Sequence, residues 1–246
     1  MTLYLSQLLL DPMSRRVQSE LRSPYEMHRT LGHAFPGLSE PQWRAARVLF
    51  RVDDDKEGVL SLLVQSHGAP DWGAFEARLN GRYLVGAPRV KGWEPQFHEG
   101  QALRFRLQAN PTMSLNVGKD AKHGARRGLY REVERLDWLR AQSERNGFAL
   151  DVFEETLRGS ETEPALFRGR AHVENFSLRL PVCELRDLND GRRFPLPSRT
   201  HQFSAARFDG QLRVSDPTAF QAAIESGIGR AKGFGFGLLS VAPATA

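Results

Sequence analysis

Leu3-Tyr4-Leu5-Ser6-Gln7-Leu8-Leu9-Leu10 is closed by Asp11-Pro12, and Ser23-Pro24-Tyr25-Glu26-Met27-His28 follows. The first run has the length and apolar content of a buried strand. The second begins a helix: Ser23 stands at the N-cap, Pro24 at the first helical position, and Glu26 three residues after the cap. Met27, Leu31, Ala34 and Phe35 then recur at helical spacing until Pro36-Gly37. A strand feeding a helix in this way predicts the start of a βαβ unit.

The pattern continues outward. Arg47–Val52 and Val59–Gln65 read as two strands joined by a hairpin over Asp53-Asp54-Asp55-Lys56-Glu57-Gly58. Trp72–Leu79 reads as a short helix, Arg82–Arg89 as a last strand, and Gly86–Glu99 as a linker. The second half repeats the order with longer insertions. A strand is expected at Ala102–Ala109 and a helix over Leu129–Arg145, stopped by Asn146-Gly147. Further strands are expected at Phe148–Phe153, His172–Leu180 and Phe208–Val214, then a helix from Asp216-Pro217 and a final apolar run, Phe236–Val241. The expected class is α+β, two tandem ferredoxin-like (RRM-like) βαββαβ domains, 1–92 and 93–246.

The chain has 246 residues, 40% hydrophobic and 26% charged, a composition that excludes a disordered or membrane-spanning class. Lys and Arg number 34 against 29 Asp and Glu, a net charge of +5, so a polyanionic partner is compatible with the balance. Cys183 stands alone, which removes an internal disulfide and any thiolate metal cluster and fits a reducing cytoplasm. Leu3–Leu10 is too short to cross a membrane, and the start of the chain lacks a secretory pattern. A cytoplasmic protein is expected, with no membrane association.

Three constellations could carry chemistry. On the first helix, successive residues turn by roughly 100°, so Tyr25 and His28 share one flank of the apolar stripe while His33 points away to solvent. An imidazole beside a phenol at a core boundary suits acid–base work near neutral pH. The same His28 could equally be an amphipathic side chain that covers the core.

The second constellation is Gly227-Ile228-Gly229-Arg230-Ala231-Lys232-Gly233-Phe234-Gly235-Phe236-Gly237. Gly229, Gly233 and Gly235 allow close backbone approach, and Arg230 and Lys232 supply charge for an anion. A helix precedes this block and a strand follows, the reverse of dinucleotide and P-loop motifs. A tight turn with packing glycines is the competing reading. The third is the run Gly118–Arg127, whose Lys119, Lys122, Arg126 and Arg127 read either as a mobile phosphate-binding loop or as a solvated charge run. Asp53-Asp54-Asp55 reads as a solvated turn, and the seven histidines show no metal-ligand spacing.

Together these pieces resemble the CasE (Cse3-like) family of CRISPR repeat-RNA endoribonucleases of the type I-E Cascade system. The resemblance is carried by Tyr4-Leu5-Ser6, Tyr25-Glu26-Met27-His28-Arg29 with Phe35-Pro36, and Asn110-Pro111-Thr112. It continues through Trp138-Leu139 before Gly147-Phe148, Gly210-x-Leu212-x-Val214 before Asp216, and the glycine block. It implies cleavage of CRISPR repeat RNA on the 3′ side of its stem-loop, without metal or cofactor, leaving a 2′,3′-cyclic phosphate and a 5′-hydroxyl. It also implies that the family's catalytic His falls on His28 and its active-site Tyr on Tyr25. The partners implied are the repeat stem-loop and the other Cascade subunits, the free protein being monomeric. A non-catalytic RNA-hairpin-binding subunit is the alternative, and it would not require His28.

Overall fold

The structure is a computed structural model that describes residues 2–54, 60–79, 81–114, 126–151, 172–175, 178–180 and 201–244. The first half contains β1 (Leu3–Leu10), α1 (Arg15–Arg22), α2 (Pro24–Leu31), α3 (Glu40–Ala45), β2 (Leu49–Asp54), β3 (Leu60–Ser66), α4 (Trp72–Ala77) and β4 (Arg89–Trp93). Its sheet has the order β2-β3-β1-β4, with every neighbour antiparallel. Two βαβ crossovers interleaved in one sheet give this order, which is the ferredoxin-like topology.

The second half contains β5 (Ala102–Ala109), β6 (Thr112–Ser114), β7 (Arg126–Gly128), α5 (Glu132–Arg145), β8 (Phe148–Leu150), β9 (His172–Asn175), β10 (Leu178–Leu180) and β11 (His201–Phe203). It closes with β12 (Ala206–Val214), α6 (Pro217–Ser226) and β13 (Leu239–Pro243). The order β13-β5-β12-β8 repeats the topology of the first sheet, with β9 added along β12 and separate β6–β7 and β10–β11 hairpins. The chain is thus two tandem ferredoxin-like folds.

The strands form where apolar residues alternate. In β5, Leu103, Phe105, Leu107 and Ala109 face inward and join Phe148, Phe208, Phe220 and Ile224 in one core. In the first half Leu8, Leu10, Met27, Leu31, Phe50, Leu62 and Phe75 make the other. Leu3, at the start of β1, belongs to the second core, so the first strand already ties the halves together. Gly147 ends α5 at φ 71°, and a Cβ there would lie 2.4 Å from the Asp216 carbonyl oxygen. Glycine alone meets both demands.

Several expectations need correction. The last strand of the first half is Arg89–Trp93 rather than Arg82–Arg89, and it occupies much of the expected linker. Leu84 makes only an isolated bridge to Leu10, because Tyr83, which follows Arg82, turns inward to a buried carboxylate. The first helix stops at Leu31 and tightens into a 3₁₀ turn over Gly32–Ala34. Its expected capping box does not form: Glu26 pairs instead with Arg29 at 3.0 Å. Helices α1 and α3 were not anticipated, since each is short and mostly polar.

A polar seam joins the halves. Arg51 on β2 is 3% exposed and grips Asp53 through Nε and Nη2 at 2.9 Å each. Its Nη1 donates to Ser240 Oγ at 3.1 Å and to the Leu238 and Arg106 carbonyls, both at 3.4 Å. Arg106 bridges Asp53 and Asp209. The expectation of a solvated Asp53 therefore fails, because Asp53 lies on β2 inside this ion-pair network. Gln65 Nε2 donates to the Ile224 carbonyl at 2.7 Å, and His67 Nε2 lies 3.1 Å from the Glu225 carbonyl. These carbonyls end α6, where no intrahelical donor remains.

Candidate active site

Helix α2 is fixed from behind by a buried carboxylate. Glu20 accepts from Thr30 Oγ1 at 2.6 Å, from the Tyr83 hydroxyl at 2.6 Å and from Arg16 Nε at 2.9 Å. Thr30 is itself buried on α2, so Glu20 ties that helix to α1 and to the segment before β4. The opposite flank of α2 carries Tyr25 and His28, with ring centroids 6.4 Å apart and the rings stacked. That is the pairing the helical spacing predicts.

His28 sits in an aromatic pocket. Its ring lies 5.3 Å from Trp43 and 6.1 Å from Phe50, centroid to centroid. Burial holds its pKa below the usual 6.5, so the neutral imidazole prevails at neutral pH. The fourth wall comes from the other half of the chain. The glycine block forms a 3₁₀ turn at Lys232–Phe234, and a Cβ placed on Gly233 would stand 3.7 Å from His28 Nδ1. Phe234 packs on Tyr25 with centroids 5.4 Å apart, and Phe203 packs on Phe234 at 4.8 Å.

Of the residues singled out in the sequence, the fold brings Tyr25, His28, Lys232, Gly233 and Gly235 together. A Cβ on Gly235 would meet Phe50 at 3.2 Å, so that glycine seats the turn on β2. Gly229 packs on Trp138, where a Cβ would lie 3.2 Å from the indole, and Arg230 is exposed. Lys232 is half-buried, and its ammonium is held below its usual range, first by burial and then by the charge of Arg47.

Other expectations fare differently. Arg126 and Arg127 are paired in the β6–β7 hairpin rather than in an unstructured loop, and Arg127 forms an ion pair with Glu134 at 2.7 Å. Lys119 and Lys122 lie outside the described residues. His33 does not project into solvent: it is half-buried, and its Nδ1 is a buried atom without a hydrogen-bond partner. The 3₁₀ tightening after Leu31 breaks the helical phase that placed it outside. Trp43, Arg47, Phe50, Phe203 and Phe234 were not recognised as parts of the site. They come from residues 43–50, from β11 and from the glycine block, with no common motif, so only tertiary structure assembles them.

Among the described residues, no group of three or more His, Cys, Asp or Glu side chains could hold a metal ion. None of the described helices is long and apolar enough to cross a membrane.

The chain is similar to known proteins along nearly its whole length. A family model described as "CRISPR associated protein" matches residues 3–243. The CRISPR-associated endoribonuclease Cse3 of Thermus thermophilus is 34% identical over 243 residues, covering 98% of this chain and 100% of that protein. The CRISPR system Cascade subunit CasE of Escherichia coli is 27% identical over 250 residues, covering 98% and 100%. A solved structure of Thermus thermophilus Cse3 bound to an RNA representing a pre-cleavage complex superposes with a TM-score of 0.74 at 31% identity, covering 99% of this chain and 100% of that one.

Proposed function

The chain belongs to the CRISPR associated protein family as a CasE-like, type I-E member, and on that footing we propose that it cuts the repeat stem-loop of CRISPR precursor RNA at the seam between its two domains. We take those domains as 1–92 and 93–246, with His28 and Tyr25 from the first acting beside the glycine block of the second. The protein serves as a Cascade subunit, as the name of its Escherichia coli relative describes for that protein, and on this reading it keeps its product. It works in the cytoplasm, a reading supported by a single cysteine, Cys183, and is monomeric when free.

The observation that carries this reading is the neutral, half-buried imidazole of His28 lying between Tyr25 and the Gly233 backbone. Cyclising cleavage of RNA needs an acceptor for the 2′-hydroxyl proton, which a neutral imidazole supplies. As that proton leaves, the 2′-oxygen bonds to the adjacent phosphorus and the bond from phosphorus to the 5′-oxygen breaks. The departing 5′-oxygen takes a proton from water. The products are a 2′,3′-cyclic phosphate and a 5′-hydroxyl, with no metal needed. Tyr25, held by Phe234, orients the 2′-hydroxyl or the phosphate. Arg126, Lys119 and Lys122, with Arg230, supply phosphate contacts to the stem.

The test is a single-turnover assay with saturating protein and labelled repeat RNA. His28→Ala should bind the RNA with nearly unchanged affinity and cut it about 10²–10⁴-fold more slowly. A variant that binds and cuts like the wild type would remove His28 from the chemistry, and a wild type that binds the RNA without cutting it would leave only an RNA-holding subunit.

A further inference from the structure

Among the described residues only two non-glycine residues adopt the left-handed backbone region: Arg47 at φ 47° and Ala231 at φ 61°. They lie on different halves of the chain yet meet at one place. Arg47 immediately precedes Val48 and β2, whose Phe50 stacks on His28. Ala231 immediately precedes Lys232 and the turn that brings Gly233 against His28. Strained backbone persists where the surroundings over-determine it, and such sites cluster where ligands are gripped.

Both strained residues set a cation. Arg47 is exposed, and Lys232 is half-buried with its Cγ packed against the turn at Gly237. No carboxylate pairs with either side chain among the described residues. The turn that carries Lys232 packs on β2, where a Cβ on Gly235 would meet Phe50 at 3.2 Å, and the Arg47 charge at the start of that strand depresses the Lys232 ammonium. Two like charges held together without an acid between them leave a place for an anion. Arg51, further along β2, shows the contrast, because its guanidinium is fully engaged with Asp53 and the seam.

We propose that Arg47 and Lys232 form a two-cation cradle beside His28 that receives the scissile phosphate, with Arg47 supplying charge to the phosphorane as the 2′-oxygen attacks. This rests on the cleavage reading above and adds Arg47 as a residue that contacts the reacting group. A guanidinium suits it, because its planar fork can donate to two phosphate oxygens at once.

The decisive substitution is Arg47→Gly, since glycine adopts positive φ freely and so removes the charge while relieving the backbone. Under single-turnover conditions with saturating protein, Arg47→Gly and Arg47→Ala should both cut about 10²-fold more slowly, the usual loss for one oxyanion donor. Arg47→Lys should recover most of that loss. In a second readout, inorganic phosphate titrated into RNA-free protein should shift the His28 Cε1–H resonance saturably in the wild type and not in Arg47→Gly. Wild-type cutting by Arg47→Gly, with an unchanged phosphate response, would overturn the cradle and leave Arg47 a structural residue. Wild-type protein and His28→Ala run alongside separate the two readings. If the wild type cuts and His28→Ala does not, the cleavage reading stands whatever Arg47 does. If the wild type leaves the RNA intact, both fall.

Discussion

Gly233 lies against the imidazole of His28, so close that a Cβ on the glycine would be 3.7 Å from Nδ1. The two residues are far apart in sequence and belong to different halves of the chain. Their contact makes the site a joint product of both halves, which the polar seam through Arg51, Gln65 and His67 holds in register.

The contact distance makes Gly233 a graded probe. A methyl group at 3.7 Å is ordinary van der Waals contact, so Gly233→Ala should cut at nearly the wild-type rate. Gly233→Leu would push the imidazole aside. A displacement of about 1 Å at a reacting group costs roughly 10²-fold in rate. Comparing single-turnover rates and RNA affinities of the two variants checks this, with affinity expected to change little.

Arg51 should matter for stability before chemistry. Arg51→Met removes both the grip on Asp53 and the bonds to β5 and the residues entering β13. Breaking a buried ion pair costs about 3–5 kcal/mol, and Asp53 keeps Arg106 and partial solvent access, so about 3 kcal/mol is expected. Urea unfolding measures it. A loss below about 1 kcal/mol would mean the seam is held mainly by apolar contact.

His28 gives a pH dependence with a definite sign. Burial lowers its folded pKa below 6.5, so below that pH the unfolded chain binds the extra proton more readily. Its contribution to stability is present above 6.5 and is lost as pH falls through the lower folded value. His33 is shifted downward too, so His28→Ala should flatten the fall in melting temperature between about pH 7.5 and about pH 5 without abolishing it. On the proposed mechanism the neutral imidazole is the working form, so the cleavage rate should fall over the same acid range.

How much of this was legible in the sequence depended on how local each signal was. β1, the start of α2 and the Tyr25–His28 flank follow from apolar spacing and one proline, and they stand where that spacing puts them. The stop at Gly147 was equally local. β4 was misplaced because Arg89–Trp93 is an edge strand with little burial, and nothing in its pattern marks a face. The aromatic pocket could not be read at all. Trp43, Phe50 and Phe234 look like ordinary core residues until the two sheets are brought together.

The β6–β7 hairpin divides two adjacent cations that the sequence treats alike. Both are exposed, but Arg127 is paired with Glu134, whereas Arg126 forms no ion pair among the described residues. Arg126→Ala should therefore weaken binding of the repeat hairpin and flatten the dependence of affinity on salt by about one unit. Arg127→Ala should do less, since its charge is already partly compensated. Equal effects, measured by filter binding over a salt series, would show that RNA displaces Glu134.

On the proposed mechanism, His28 in this pocket cuts RNA by transesterification without a metal. The decisive measurement incubates the wild type with labelled repeat RNA in excess EDTA and analyses the ends. Undiminished cutting is expected, with a 2′,3′-cyclic phosphate on the upstream fragment, a 5′-hydroxyl on the downstream one, and intact RNA with His28→Ala. Cleavage that EDTA stops and Mg²⁺ restores, or one that leaves a 5′-phosphate, would contradict it.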